Sequence, residues 1–198
     1  MKIFLTLKHW QLFILLVGVP FIAEILLIGS VVATRDPSIP FYFFPVIMFL
    51  SIVPFSAWFY SLGTNLFKRL PLAVKMSLTR FKIFLFFEVA YILFFTVYMS
   101  SLMSNLASDR NINPSIFAFI FPLHIFAMFC IFYCLYFNAK ALKAIELKRP
   151  VTFSDYAGEF FLLWFFPIGI WILQPRINRL INSTPEEPVD SLFEGFQG

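Results

Sequence analysis

Phe160–Leu173 reads FFLLWFFPIGIWIL, and the number of times the chain crosses a membrane turns on it. A spanning helix needs about 20 apolar residues, and this run has 14. Pro167 and Gly169 fall in its middle, and Gln174-Pro175-Arg176 ends it. Thr152, Ser154 and Asp155 stand before it as candidate N-caps. The run is apolar on all sides, so it is a poor candidate for a helix lying flat on a membrane. We therefore expect residues 153–174 to form a broken, re-entrant or interfacial segment. The rival is a fifth span from about Phe153, which would bury Asp155 and Glu159 and carry Arg176 and Arg179 across.

Upstream the reading is simpler. Four longer apolar runs cover residues 10–34, 39–63, 81–104 and 114–137. Each is long enough to cross ~30 Å of hydrocarbon at ~1.5 Å per residue. A segment in lipid must satisfy its own backbone, so these runs are expected to be helices. They lack the period-2 alternation of a membrane barrel. The expected fold is an all-α, four-helix transmembrane bundle with the broken segment at its C-terminal end. Residues 1–181 form the membrane domain and 182–198 an acidic tail.

Composition agrees. Of 198 residues, 60% are hydrophobic and 13% charged, about half the charged share of a soluble domain, and mean hydropathy is +0.84. The 30 Phe against 7 Gly are read as lipid-facing bulk. The first run is too long for the apolar region of a cleaved signal peptide and holds Pro20 and Glu24, so it is expected to stay as a span.

Charge sets the topology. Lys2, Lys8, Lys68, Arg69, Lys75, Arg80, Lys82, Lys140, Lys143, Lys148, Arg149, Arg176 and Arg179 fall on one side of the four runs. Arg35 and Arg110 fall on the other. By the positive-inside rule both termini are expected in the cytoplasm, and the lean loops suggest a bacterial inner membrane. The net charge of +4 reflects this bias, so nucleic-acid binding is rejected, with no basic, aromatic-studded soluble surface to support it. Lys68, Arg69, Lys75, Arg80 and Lys82 are candidate contacts for anionic lipid, on a stretch from Leu66 to Lys82 expected to be a short amphipathic surface helix. Asn138–Arg149 is expected to continue the fourth helix. In the tail, Leu192, Phe193 and Phe196 are a candidate docking peptide.

Ionisable groups within a span are costly and are candidates for function. Glu24 lies ~20 Å and Glu88 ~9–10 Å from the basic end of their helices, and His124 ~14 Å from the opposite end of its own. Glu24 and His124 thus fall at similar depth and are expected to pair if the first and fourth helices touch. Such a pair can share a proton or simply fix helix register. Glu88 is placed where it could face Asp155 or Glu159 at the mouth of the broken segment.

Cys130 and Cys134 lie one turn apart and are read as packing residues, with no disulfide framework and no metal site. Thr96, Ser100 and Ser104, and likewise Gly29 and Ala33, are read as close helix–helix seams. Pro20, Pro45, Pro54 and Pro122 interrupt the runs. No nucleotide, hydrolase, metalloprotease or dinucleotide motif occurs, and no cofactor is expected.

Three functions are consistent with this reading. First is a non-catalytic membrane subunit or accessory protein held in a larger assembly or homo-oligomer, with lipids and membrane proteins as partners. The alternative is a small proton- or cation-coupled transporter using Glu24, His124 and Glu88. Third is a lipid-modifying membrane enzyme.

Overall fold

The computed structural model describes residues 3–36, 38–107 and 117–182. They form helices α1 (Ile3–Thr6), α2 (His9–Phe13), α3 (Val19–Thr34), α4 (Ile39–Phe67), α5 (Leu78–Ala107), α6 (Phe117–Leu147), α7 (Phe153–Trp164) and α8 (Phe166–Asn182). A π-helical turn, Ile14–Gly18, joins α2 to α3, so His9–Thr34 runs as one rod. Pro20 explains the widened turn. It has no N–H, and the ladder adjusts just before it, with the Val19 N–H donating to the Ile14 carbonyl five residues back.

Four of these rods are long and apolar enough to cross a membrane: His9–Thr34, Ile39–Phe67, Leu78–Leu106 and Ala118–Leu147. This is a multi-pass, all-helical membrane protein. The residues expected at 114–116, and the tail with Leu192, Phe193 and Phe196, lie outside the described residues. At 31 residues α6 is ~46 Å long, well beyond the hydrocarbon thickness. It continues ten residues past Phe137 and ends at Leu147, two short of the expected Arg149.

Leu66–Lys82 corrects an expectation. It is not a surface helix: α4 runs on to Phe67, and Lys68–Ser77 is a turn-containing loop before α5. Pro71 gives the reason, because it lacks a donor and pushes Leu70 out of the helical region.

The C-terminal segment is a hairpin. α7 and α8 break at Phe165, whose backbone (φ −89°, ψ 55°) leaves the helix. Pro167 does not break a helix here; it starts one, on the first turn of α8, where its missing N–H costs nothing. The arms then fold back on one another. A Cβ on Gly169 would overlap the Leu162 carbonyl oxygen, so only glycine permits this approach. Arg176 on α8 reaches Glu159 on α7, 17 residues earlier. In a continuous helix those residues would stand ~25 Å apart. Neither arm is among the helices long and apolar enough to cross a membrane, and the fold-back is not one continuous fifth helix.

The core lies toward the basic end. Leu5, Leu12, Trp58, Leu62, Phe137 and Leu173 are all buried there. α1, short as it is, contributes because Gln174 Nε2 donates to the Phe4 and Leu7 carbonyls and Asn178 Nδ2 donates to Leu7. These amides tie the N-terminal hook to α8.

Candidate functional site

Three groups of polar side chains could carry function, and they differ in what satisfies them. The first pins the hairpin. Arg176 makes a two-pronged contact with Glu146 on α6 (2.6 and 2.9 Å) and a further hydrogen bond to Glu159 (2.6 Å). Lys143 donates to the same Glu159 oxygen at 3.1 Å. Burial alone would push the Glu159 carboxyl up. Hydrogen bonds from Arg176, its own backbone N–H and Lys143 outweigh this and hold it below the usual carboxylate range. Asp155 accepts the Thr152 N–H and hydroxyl at the start of α7 and pairs with Arg149 at 3.0 Å. Asp155 and Glu159 therefore do not open a mouth toward Glu88. Their cationic partners are already in place, so the expected carboxylate cluster is not formed. Among the described residues no group of three His, Cys, Asp or Glu side chains could hold a metal ion.

The second group lies in the seam between α5 and α6. The Tyr91 hydroxyl and His124 Nδ1 are hydrogen-bonded at 2.8 Å. Glu88 is buried, and its Oε2 has no hydrogen-bond partner among the described residues. It interacts electrostatically with Tyr91, Cys130 and Cys134. Both cysteines are free and buried, as packing residues should be. Cys134 Sγ points at the Phe81 carbonyl. Ser100 donates across to the Phe41 carbonyl, so the small polar stripe on α5 is a real seam with α4.

The third group is a single side chain. Glu24 sits on the exposed face of α3 and makes no hydrogen bond or ion pair among the described residues. It does not meet His124, whose partner is Tyr91. Rise per residue gives depth but neither direction nor which helices are neighbours, and here His124 is bonded across the α5–α6 seam while Glu24 is exposed on α3. Gly29 and Ala33 also point outward, and a Cβ added at Gly29 would meet nothing within 4 Å. The seam expected there is not filled by any of the described residues.

The basic loop residues divide as well. The Arg69 guanidinium donates to the Leu180 and Ile181 carbonyls (2.9 Å for the latter), closing the C-terminal turn of α8. It is a structural clamp in addition to any role at a membrane surface. Lys68, Lys75 and Arg80 are exposed. The Lys82 ammonium lies 5.8 Å from the centre of the Tyr60 ring.

Sequence reasoning missed Tyr91, Lys143, Glu146 and the amides of Gln174 and Asn178. The Lys143–Glu146 spacing of three on a helix was the one available signal. Compared with known proteins, the chain matches no family model, no curated protein and no solved structure.

Proposed function

We propose that this chain is a non-catalytic membrane subunit that docks sideways, through the outer half of α3, onto a spanning helix of a partner. The observation that carries the reading is Glu24, an ionisable side chain on the exposed face of a spanning helix with nothing among the described residues to satisfy it. A charge facing hydrocarbon costs several kcal/mol, about 2.5–3.5 on insertion scales for Asp. A partner helix presenting a lysine, arginine or amide at that depth removes the cost. Gly29 and Ala33, outward and small, let such a helix approach closely. In this reading both termini are cytoplasmic, the thirteen basic residues of the basic end face the anionic leaflet, and the membrane is a bacterial inner membrane.

The test is co-purification after gentle detergent extraction, with a tag at the N-terminus and mass spectrometry of the proteins that co-elute. Wild type should bring a partner, or a second copy, in stoichiometric amount. Glu24→Leu and Gly29→Leu should each lose it while the chain stays helical and monodisperse, because neither side chain has a neighbour to disturb. A wild-type chain that comes alone, or a partner that both variants retain, would overturn the proposal.

A second reading has one observation in its favour. Glu88 holds a buried oxygen without a hydrogen bond beside the Tyr91–His124 pair, so the α5–α6 seam is where a proton or cation would bind if the chain transports one. Glu24 has no place in that path. Proton flux in liposomes that Glu88→Gln abolishes would favour transport over assembly.

A further inference from the structure

A groove of about 390 Å³ runs between α4 and α5 on the outside of the bundle, lined by Val53, Ser56, Ala57, Leu85, Phe86 and Val89. We infer that it is a binding site for one anionic phospholipid, with the acyl chain in the groove and the phosphate on Lys82 and Tyr60.

The spacing builds the site. Val53, Ser56, Ala57 and Tyr60 follow one face of α4 at steps of three and four residues. Lys82, Leu85, Phe86 and Val89 do the same on α5. The two helices run antiparallel, so both stripes end together at the basic end, with Tyr60 on one side and Lys82 on the other. Ser56 and Ala57 are small, and they leave the trough that larger residues would fill. From Tyr60 to Val53 the groove is ~10 Å long, about a third of the hydrocarbon thickness.

The mouth is polar and unspent. Lys82 is half-buried over Tyr60 and makes no ion pair among the described residues. The Tyr60 hydroxyl makes no hydrogen bond among them either. An ammonium and a phenol donor, side by side at the end of an apolar trough, match a phosphate ester carried on an acyl chain. Elsewhere at this end Lys143 and Arg176 hold carboxylates, Arg149 holds Asp155 and Arg69 caps α8, whereas Lys68, Lys75 and Arg80 are exposed; the cation placed over Tyr60, at the end of the groove, is Lys82. Charge complementarity therefore selects an anionic head group at Lys82. It does not favour a zwitterionic one, whose own choline or amine would meet the ammonium. The site is independent of the α3 face and of the assembly reading.

Native mass spectrometry of the detergent-purified full chain, titrated with phosphatidylglycerol, phosphatidylcholine or glycerol phosphate, tests it. Wild type should retain one phosphatidylglycerol and hold phosphatidylcholine more weakly. Lys82→Gln should weaken phosphatidylglycerol about fivefold, the effect of one cation near a head group, and leave phosphatidylcholine unchanged. Ala57→Phe fills the trough and should weaken both lipids. Arg179→Gln, exposed on α8 and outside the groove, should change neither. Phosphatidylglycerol binding that survives both Lys82→Gln and Ala57→Phe would overturn the site. Equal binding of glycerol phosphate without its acyl chains would overturn the groove's part in it.

Discussion

Around the basic end, side chains from α1, α2, α4, α6, α7 and α8 interlock, and Leu5, Leu12, Trp58, Phe59, Phe137 and Leu173 are each no more than 1% exposed. Toward the opposite end the same helices separate. α3 buries only Pro20, and the first fifteen residues of α4 bury only Ile47. Ala127 alone is buried among residues 118–129 of α6. The carboxylates of the hairpin follow the same division: Glu146, Asp155 and Glu159 have cationic partners, whereas Glu24 has none among the described residues. Hydrophobic burial alone cannot explain the contrast, because lipid is as good a solvent for Leu and Phe as a protein core. Specific polar ties explain it: Arg176 to Glu146 and Glu159, Arg69 to α8, and Gln174 to the N-terminal hook. Where such ties exist the helices are drawn together. Where they are missing, the surface is left for lipid or for another protein.

The largest expected effect comes from breaking the tied half at its tightest point. Gly169→Ala places a methyl group on the Leu162 carbonyl, which is backbone and cannot swing away. The hairpin cannot close, and the loss should exceed about 4 kcal/mol, the range reserved for severe lesions. Thermal or SDS unfolding of the purified chain would read it. A Gly169→Ala protein as stable as wild type would mean that the two arms do not meet as described.

Arg176→Met comes next. It strands Glu146 and Glu159 with only Lys143 between them, and removing one member of a partly buried pair costs about 3 kcal/mol. The pH dependence gives a second readout. The Glu159 carboxyl is held below its ordinary range, so its contribution to stability is complete above the unfolded carboxylate value. It is lost as pH falls through the lower folded value. Wild type should therefore lose stability on acidification below about pH 4. Arg176→Met should start lower and show a shallower acid loss, since most of the depression is gone. An unchanged acid profile would separate Glu159 from the hairpin's stability.

How much of this was legible beforehand follows the same division. Four spans can be read from length and hydropathy because lipid allows a long apolar run few alternatives to a helix. A break in the C-terminal segment was legible from Pro167 and Gly169, although it falls at Phe165, Pro167 begins the second arm, and the folding of the arms onto one another was not read. The polar ties were not legible. Pairing depends on which way a side chain points around its helix and on which helices are neighbours, and rise per residue fixes neither. Glu24 and His124 fall at one depth and still do not meet. Gln174 reaches residues 170 and 167 positions earlier, a separation that no local pattern encodes.

The smallest effect tests the open half. Tyr91→Phe keeps the ring, and with it the ring contacts to Phe87 and Phe95, at centroid distances of 6.3 and 5.7 Å. Only the hydrogen bond to His124 is removed. Between membrane helices such bonds average about 0.6 kcal/mol, because the separated helices find other partners for the same groups. His124 is already exposed, so the loss of its partner does not leave a polar nitrogen sealed in the protein. The expected change is therefore near that average, several times smaller than for Arg176→Met under the same SDS titration. A loss of 2 kcal/mol or more, roughly the upper limit measured for such bonds, would place a tie of full strength in the open half. The α5–α6 seam would then be a built site of its own, and Glu88 beside it the residue to substitute next.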